Sequence, residues 1–180
     1  MLNPHHILLH DSATRHLFDE LGKILHARRL SVVLADAATQ GFFAFAASQH
    51  LVIRSFLETS LVVNTAHSLK SVLGVDIQGQ SMDQLSPAVG VEMARNALEL
   101  SQASLAIAMT QCPAKHLALP NCTVLGLHWW YKDRCNGDSS WMLSHQFVVA
   151  CPREELPGKL LQVAAHETIK VLRLQEPSPA

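Results

Sequence analysis

The apolar positions of this chain recur with two periods, one helical and one extended, and the changes between them mark out the elements. Leu17, Leu21, Ile24 and Leu25 form a stripe at helical spacing. With Asp11 or Ser12 as the cap, they predict a first helix through about Arg28. Arg28 and Arg29 near its end suit the negative pole of the helix. Ser31 to Ala35 is a short apolar run with a β-branched pair, which predicts a buried strand. Asp36 to Gly41 then reads as a turn, and Phe42 to Ala47 as a helical stretch that Asp36 or Thr39 would cap. Phe56 to Val63 predicts a second strand, followed by a short helix ending at Gly74, a residue suited to a helix C-cap. Asp76 to Leu85 is a polar connection. Ser86-Pro87 opens a long helix whose apolar face carries Val91, Ala94, Leu98 and Leu100. Leu105 to Met109 is a third buried strand, and Gln111 to Asn121, punctuated by Pro113 and Pro120, reads as a loop. Thr123 to Tyr131 and Trp141 to Ala150 are strands flanking Cys135-Asn136-Gly137-Asp138, turn chemistry that predicts an antiparallel hairpin. A last helix follows Pro152 to about Leu174.

Helices alternating with buried strands imply a three-layer α/β/α sandwich with a mixed, mostly parallel sheet and one antiparallel hairpin. Residues 1–10 are expected to be a flexible leader, 11–174 one domain and 175–180 a polar tail. The length of 180 residues suits one domain with a sizeable core. Nearly half of the residues, 48%, are hydrophobic, and the formal charge of −1 gives no electrostatic case for nucleic acid or an anionic membrane as partner. Cys112, Cys122, Cys135 and Cys151 lack zinc-ribbon spacing, and reduced thiols are expected. The first residues lack the charged start and apolar core of a signal peptide. No run reaches the roughly 20 apolar residues of a membrane-spanning helix. A cytoplasmic location is the expectation. Among 11 histidines only His5 and His6 are paired, in the leader, and no metal site is expected.

The candidate chemistry gathers at the turn after the first strand. A strand stopping at a helix N-terminus leaves backbone donors aimed at one point, a natural place for an anion or phosphate. In open α/β sheets, ligands bind outside the carboxyl ends of the strands. Thr39 and Gly41 shape that turn, Thr110 ends the third strand, and Lys70 is a cation to weigh either as a contact for a ligand phosphate or as an exposed helix lysine, the more usual case. Ser60, Thr65 and Ser68 offer hydroxyls, although serines and threonines also cap helices and turns. Cys112, with His116 as base, is a second nucleophile arrangement to weigh against an idle buried thiol. Trp129 and Trp130 are adjacent in a strand and must point to opposite faces, so one leaves the core, which suggests a homodimer surface or, as the alternative, a cover by the terminal helix. His128, His145 and His166 lack metal-ligand spacing and read as surface residues.

In order and spacing, Leu25 to Leu174 resembles the CinA C-terminal domain family, the nicotinamide-nucleotide amidohydrolases. The family's Glu-Ser-Cys-Thr-Gly-Gly turn corresponds to Asp36-Ala37-Ala38-Thr39-Gln40-Gly41. Its Tyr-Ser-Asn-x-x-Lys and Leu-Leu-Gly-Val segments correspond to Asn64-Thr65-Ala66-His67-Ser68-Leu69-Lys70 and Val72-Leu73-Gly74-Val75. Ser86 to Ala94 matches its Ser-x-x-Val-Ala-x-x-Met-Ala helix, and Ala106 to Thr110 its Ala-x-Ala-x-Thr-Gly strand end. Pro120 to Val124 resembles its hairpin entry, and its Gly-Asp-Arg is reduced to Arg153.

The resemblance implies an amidase that releases ammonia from nicotinamide mononucleotide, with the Ser of the turn as nucleophile and Lys and Tyr assisting. This chain departs at those points. Ala37 stands at the nucleophile position and Asn64 at the Tyr position; Lys70 falls one residue late, a rotation of about 100° on a helix. The expectation is a catalytically degenerate CinA-like homodimer without cofactor. It would hold a pyridine nucleotide or related phosphate on Asp36, Thr39, Gln40, Gly41, Asn64, Thr65, Lys70 and Thr110. The other reading is an active amidohydrolase with a rebuilt site that uses Cys112 or a displaced serine together with Lys70.

Overall fold

A computed structural model describes residues 11–113, 122–133 and 139–175. The leader, the Cys135–Asp138 turn, His116 and the tail beyond Gln175 lie outside the described residues.

Asp11 caps the first helix, α1 (Ser12–Arg28), its carboxylate accepting from the backbone N–H groups of Ala13 and Thr14. Arg29, at φ 52°, closes the helix in the left-handed region. Next come β1 (Val32–Asp36), α2 (Phe42–Ser48), the single turn α3 (Leu51–Arg54) and β2 (Leu57–Val62). α4 (Ala66–Leu73) is closed by Gly74 as expected, and its start is a capping box in which Thr65 and Ser68 satisfy each other's backbone N–H groups. The last part of the chain holds α5 (Pro87–Glu99), β3 (Leu105–Pro113), β4 (Cys122–Lys132), β5 (Ser140–Ala150) and α6 (Leu156–Leu174).

The sheet runs β2-β1-β3-β4-β5. β1 pairs parallel with both β2 and β3; β3–β4 and β4–β5 are antiparallel. The sheet is therefore mixed, its parallel half at the β2 side and its antiparallel half at the β5 side. Alternation along the central strands feeds two cores. Val32 and Leu34, Leu105 and Ile107, and Leu127 and Trp129 pack under α1, α2 and α6. Val33 and Ala35, Ala106 and Ala108 pack under α4 and α5. This is the α/β/α arrangement that the alternating pattern predicts.

Three expectations need correction. Thr110 to Pro113 continue β3, pairing with Gly126 to Thr123, where a loop was expected from Gln111. The strand outlasts its apolar run because its neighbour β4 supplies a ladder at that end. The buried face of α5 is Val89, Gly90, Met93, Ala94, Ala97 and Leu98, while Leu100 is 64% exposed. The sheet below presents alanines, so the small residues set the contact, not the largest ones. His128 is fully buried rather than on the surface: its ring lies between the Thr110 hydroxyl (Nε2 to Oγ1, 3.2 Å) and the Ser144 hydroxyl (Nδ1 to Oγ, 2.8 Å). His145 and His166 are exposed as expected, His145 meeting the edge of Trp129 and His166 lying against Glu167. The tryptophans do part across the sheet. Trp129 is buried under α6, its indole N–H donating to Thr168 at 3.0 Å, and Trp130 is half-buried on the α5 face.

Candidate functional site

The turn between β1 and α2 is built around Asp36. Its side chain is fully buried, and Oδ1 accepts the backbone N–H groups of Ala38 (2.9 Å) and Thr39 (2.7 Å). Oδ2 accepts the N–H of Gly41 (2.7 Å) and the Thr39 hydroxyl. The Thr39 oxygen also accepts from the N–H of Phe43, at 3.1 Å. The donors read as an anion site are thus turned inward onto an anion that the chain itself supplies. Such charge-assisted bonds hold the turn in one shape. Gln40 (φ 55°) and Gly41 (φ 86°) follow each other in the left-handed region, and this reversal pushes the Gln40 side chain outward.

Two adjoining clefts open outside the carboxyl ends of β1, β2 and β3, where α/β sheets hold ligands. The smaller, about 190 Å³, is lined by Ala37, Ala38, Gln40, Asn64, Met82, Asp83 and Gln111. The larger, about 440 Å³, lies between the turn and the start of α6, with Thr39, Gln40, Gly41, Phe42 and Phe45 on one wall. Ala38, Gln111, Arg153, Leu156, Pro157 and Leu160 complete it. Ala38, Gln40 and Gln111 border both clefts. Phe45 is 49% exposed and its ring stacks on Phe42 with centroids 6.4 Å apart, giving the larger cleft an aromatic wall.

A model of the CinA C-terminal domain matches residues 14–113. The chain belongs to the CinA C-terminal domain family. No curated protein matches it. Solved structures are similar over nearly their whole length. The competence damage-inducible protein A (ComA) of Klebsiella pneumoniae subsp. pneumoniae MGH 78578 has 21% identity and a TM-score of 0.73, over 91% of this chain and 99% of that one. CihA of Agrobacterium tumefaciens has 20% identity and a TM-score of 0.68, over 90% and 96%. A CinA superfamily protein of Escherichia coli has 21% identity and a TM-score of 0.67, over 89% and 92%. At such identities the likeness speaks for the fold alone.

Within this CinA domain, the structure brings together part of the predicted site. Ala37, Thr39, Gln40, Gly41 and Asn64 border the clefts; Asp36 lies beneath them as the turn's inner anchor. Three predicted residues stand apart. Thr65 is engaged in the α4 capping box. Thr110 is buried against His128. Lys70 pairs on the surface with Asp76 at 2.7 Å, and that hydrogen bond and charge hold its ammonium above the usual lysine range, the opposite of what a base requires. The alternative nucleophiles fare no better. Burial pushes the Cys112 thiol up, away from thiolate, and Cys112 borders neither cleft. Ser68 belongs to the capping box, and the Ser60 hydroxyl is buried in β2.

Gln111, Asp83, Arg153 and the Phe42–Phe45 wall are cleft residues outside the predicted set. Gln111 had a signal: it follows Thr110 at the carboxyl end of the strand beside β1, where the chain topology reverses. Arg153 had one too, as the remnant of a family motif just before the last helix. Among the described residues there is no cluster of metal-ligating side chains and no helix long and apolar enough to cross a membrane.

Proposed function

We propose that this chain is a CinA-family domain, running from 11 to 174, that binds a phosphate-bearing aromatic ligand such as a pyridine nucleotide without hydrolysing it. The observation that carries this reading is the half-buried methyl of Ala37 on the wall of the smaller cleft, at the position where the family resemblance puts the attacking hydroxyl. An alkyl group cannot attack a carbonyl, and losing a nucleophile costs orders of magnitude in rate. Among the described cleft residues the one hydroxyl is that of Thr39, already donating to Asp36.

What remains suits recognition. Phe42 and Phe45 offer a ring surface, Gln40, Gln111 and Asn64 offer amide donors and acceptors, and the exposed Arg153 offers a guanidinium fork for a phosphate. Calorimetry with nicotinamide mononucleotide, alongside an ammonia assay, tests the reading. Saturable heat without ammonia is expected, with Arg153→Ala weakening binding about tenfold or more. Ammonia released at enzymatic rates would overturn the non-catalytic part; no heat at millimolar nucleotide would overturn the binding part. Ala37→Ser then reports whether the rest of a hydrolytic site survives around the missing oxygen.

A further inference from the structure

The two edges of the sheet are built differently. The β2 edge carries the devices that keep strands from pairing with strangers: a charge, Glu58, near its start and a register break against β1 at Val32/Val33. β5 has neither. Its eleven residues, Ser140 to Ala150, include no Asp, Glu, Lys, Arg or Pro, and its register with β4 runs unbroken from Lys132↔Ser140 to Cys122↔Ala150. Among the described residues no strand lies on its other side. Neither face of it is fully covered: Met142 is 47% and Val148 53% exposed on the α5 side, and Trp141, Leu143 and Phe147 are half-buried on the other. A long, regular, uncharged edge of this kind is a template for a further strand.

The sequence of β5 says which strand. S-W-M-L-S-H-Q-F-V-V-A reads nearly the same in both directions in its apolar and polar character, with His145 at the centre. We propose that β5 is a homodimer edge, on which a second copy of this chain lays its own β5 antiparallel about a two-fold axis at His145. Two-fold pairing of this kind is isologous, so each contact occurs twice. It also leaves the faces of the sheet unchanged, so opposed residues must share a face. Met142 then faces Val148 of the partner subunit, Leu143 faces Phe147 of the partner subunit, and Trp141 faces Val149 of the partner subunit. Ser144 faces Gln146 of the partner subunit, polar against polar. A slip of two residues destroys the match. One direction sets Leu143 against His145 of the partner subunit, the other Ser144 against Val148 of the partner subunit. Each five-stranded sheet would thereby continue into the other. An unrelated peptide could use the same edge, but it would have no reason to reproduce this symmetry.

Charge substitution at the paired positions tests both the surface and the register. Val148→Glu and Met142→Lys each place a charge opposite an apolar side chain, at sites exposed enough for the monomer fold to tolerate it; circular dichroism checks that fold. Light scattering during size-exclusion chromatography should show a dimer for the unaltered chain. Each single variant should weaken it about tenfold or more. The double variant, which sets the new ammonium of one subunit against the new carboxylate of the other at two symmetric places, should recover most of that loss. A monomeric unaltered chain at high micromolar concentration overturns the proposal, as does a dimer that neither variant weakens. Dissociation by both singles without recovery in the double overturns the register.

Discussion

At the scale of single residues, the site turn shows how one side chain decides what a loop can offer a ligand. The carboxylate of Asp36 gathers three backbone N–H groups and the Thr39 hydroxyl. A phosphate placed there would have to displace a buried, fully bonded anion. Ligand recognition therefore falls to the outward side chains, above all Gln40. Its position has a cost. At φ 55° a side chain with a Cβ is strained, and the following Gly41 already makes the reversal at φ 86°. Gln40→Gly should raise the stability of the domain by about 1 kcal/mol, since glycine carries no such strain. Urea unfolding of the two proteins would show it as a higher midpoint at unchanged slope. An unaltered or lower midpoint would mean that Gln40 contributes more through its contacts than it loses in backbone strain.

At the scale of elements, the contact between α5 and the antiparallel half of the sheet is shaped around the His128 ring. A Cβ on Gly90 of α5 would lie 2.0 Å from His128 Nε2, and one on Gly126 would lie 2.3 Å from Thr110 Oγ1 and 2.8 Å from that same nitrogen. Gly90→Ala, ordinarily stabilising inside a helix, should here cost more than about 3 kcal/mol, because neither the buried ring nor the helix can yield. Thermal unfolding of the variant checks it; a neutral effect would show that α5 can move off the sheet. The sequence carried only part of this. Val32 to Ala35, Leu105 to Met109 and Thr123 to Trp129 were legible because buried strands concentrate apolar residues, β5 because Asn136-Gly137 sets a turn before its apolar residues, and α4 because Gly74 punctuates its end. The face of α5 was not, because the glycine and alanines that touch the sheet are chosen by what lies beneath them. Nor was the burial of His128, since its partners Thr110 and Ser144 come from two other strands and are brought to it only by register. The same holds in the clefts: the turn after β1 was found from local pattern, but Gln111 and Arg153 join it from 70 and 112 residues further along the chain than Gly41.

At the scale of the whole molecule, the central sheet has a titratable group at the junction of its layers, and this ties global stability to pH. His128 is fully buried between two hydroxyls, and desolvation lowers its pKa from the ordinary 6.5 to about 4. A neutral ring satisfies both contacts, one nitrogen donating and the other accepting; an imidazolium would have to donate twice in a site that offers it no counter-charge among its hydrogen-bond partners. In the unfolded chain the same ring takes up a proton as the pH falls through 6.5, whereas the folded protein resists until about 4. The unfolded state therefore binds more protons across that window, so stability is fully present above 6.5 and drains away as the pH falls toward 4. The shift corresponds to about 3 kcal/mol at the acid end, a large fraction of what a domain of this size holds in reserve. Urea unfolding at a series of pH values should reproduce that decline, and His128→Gln should lower stability near neutrality while flattening the fall between the two pKa values. A decline equally steep in the variant would place the acid sensitivity in other groups and leave His128 as packing alone.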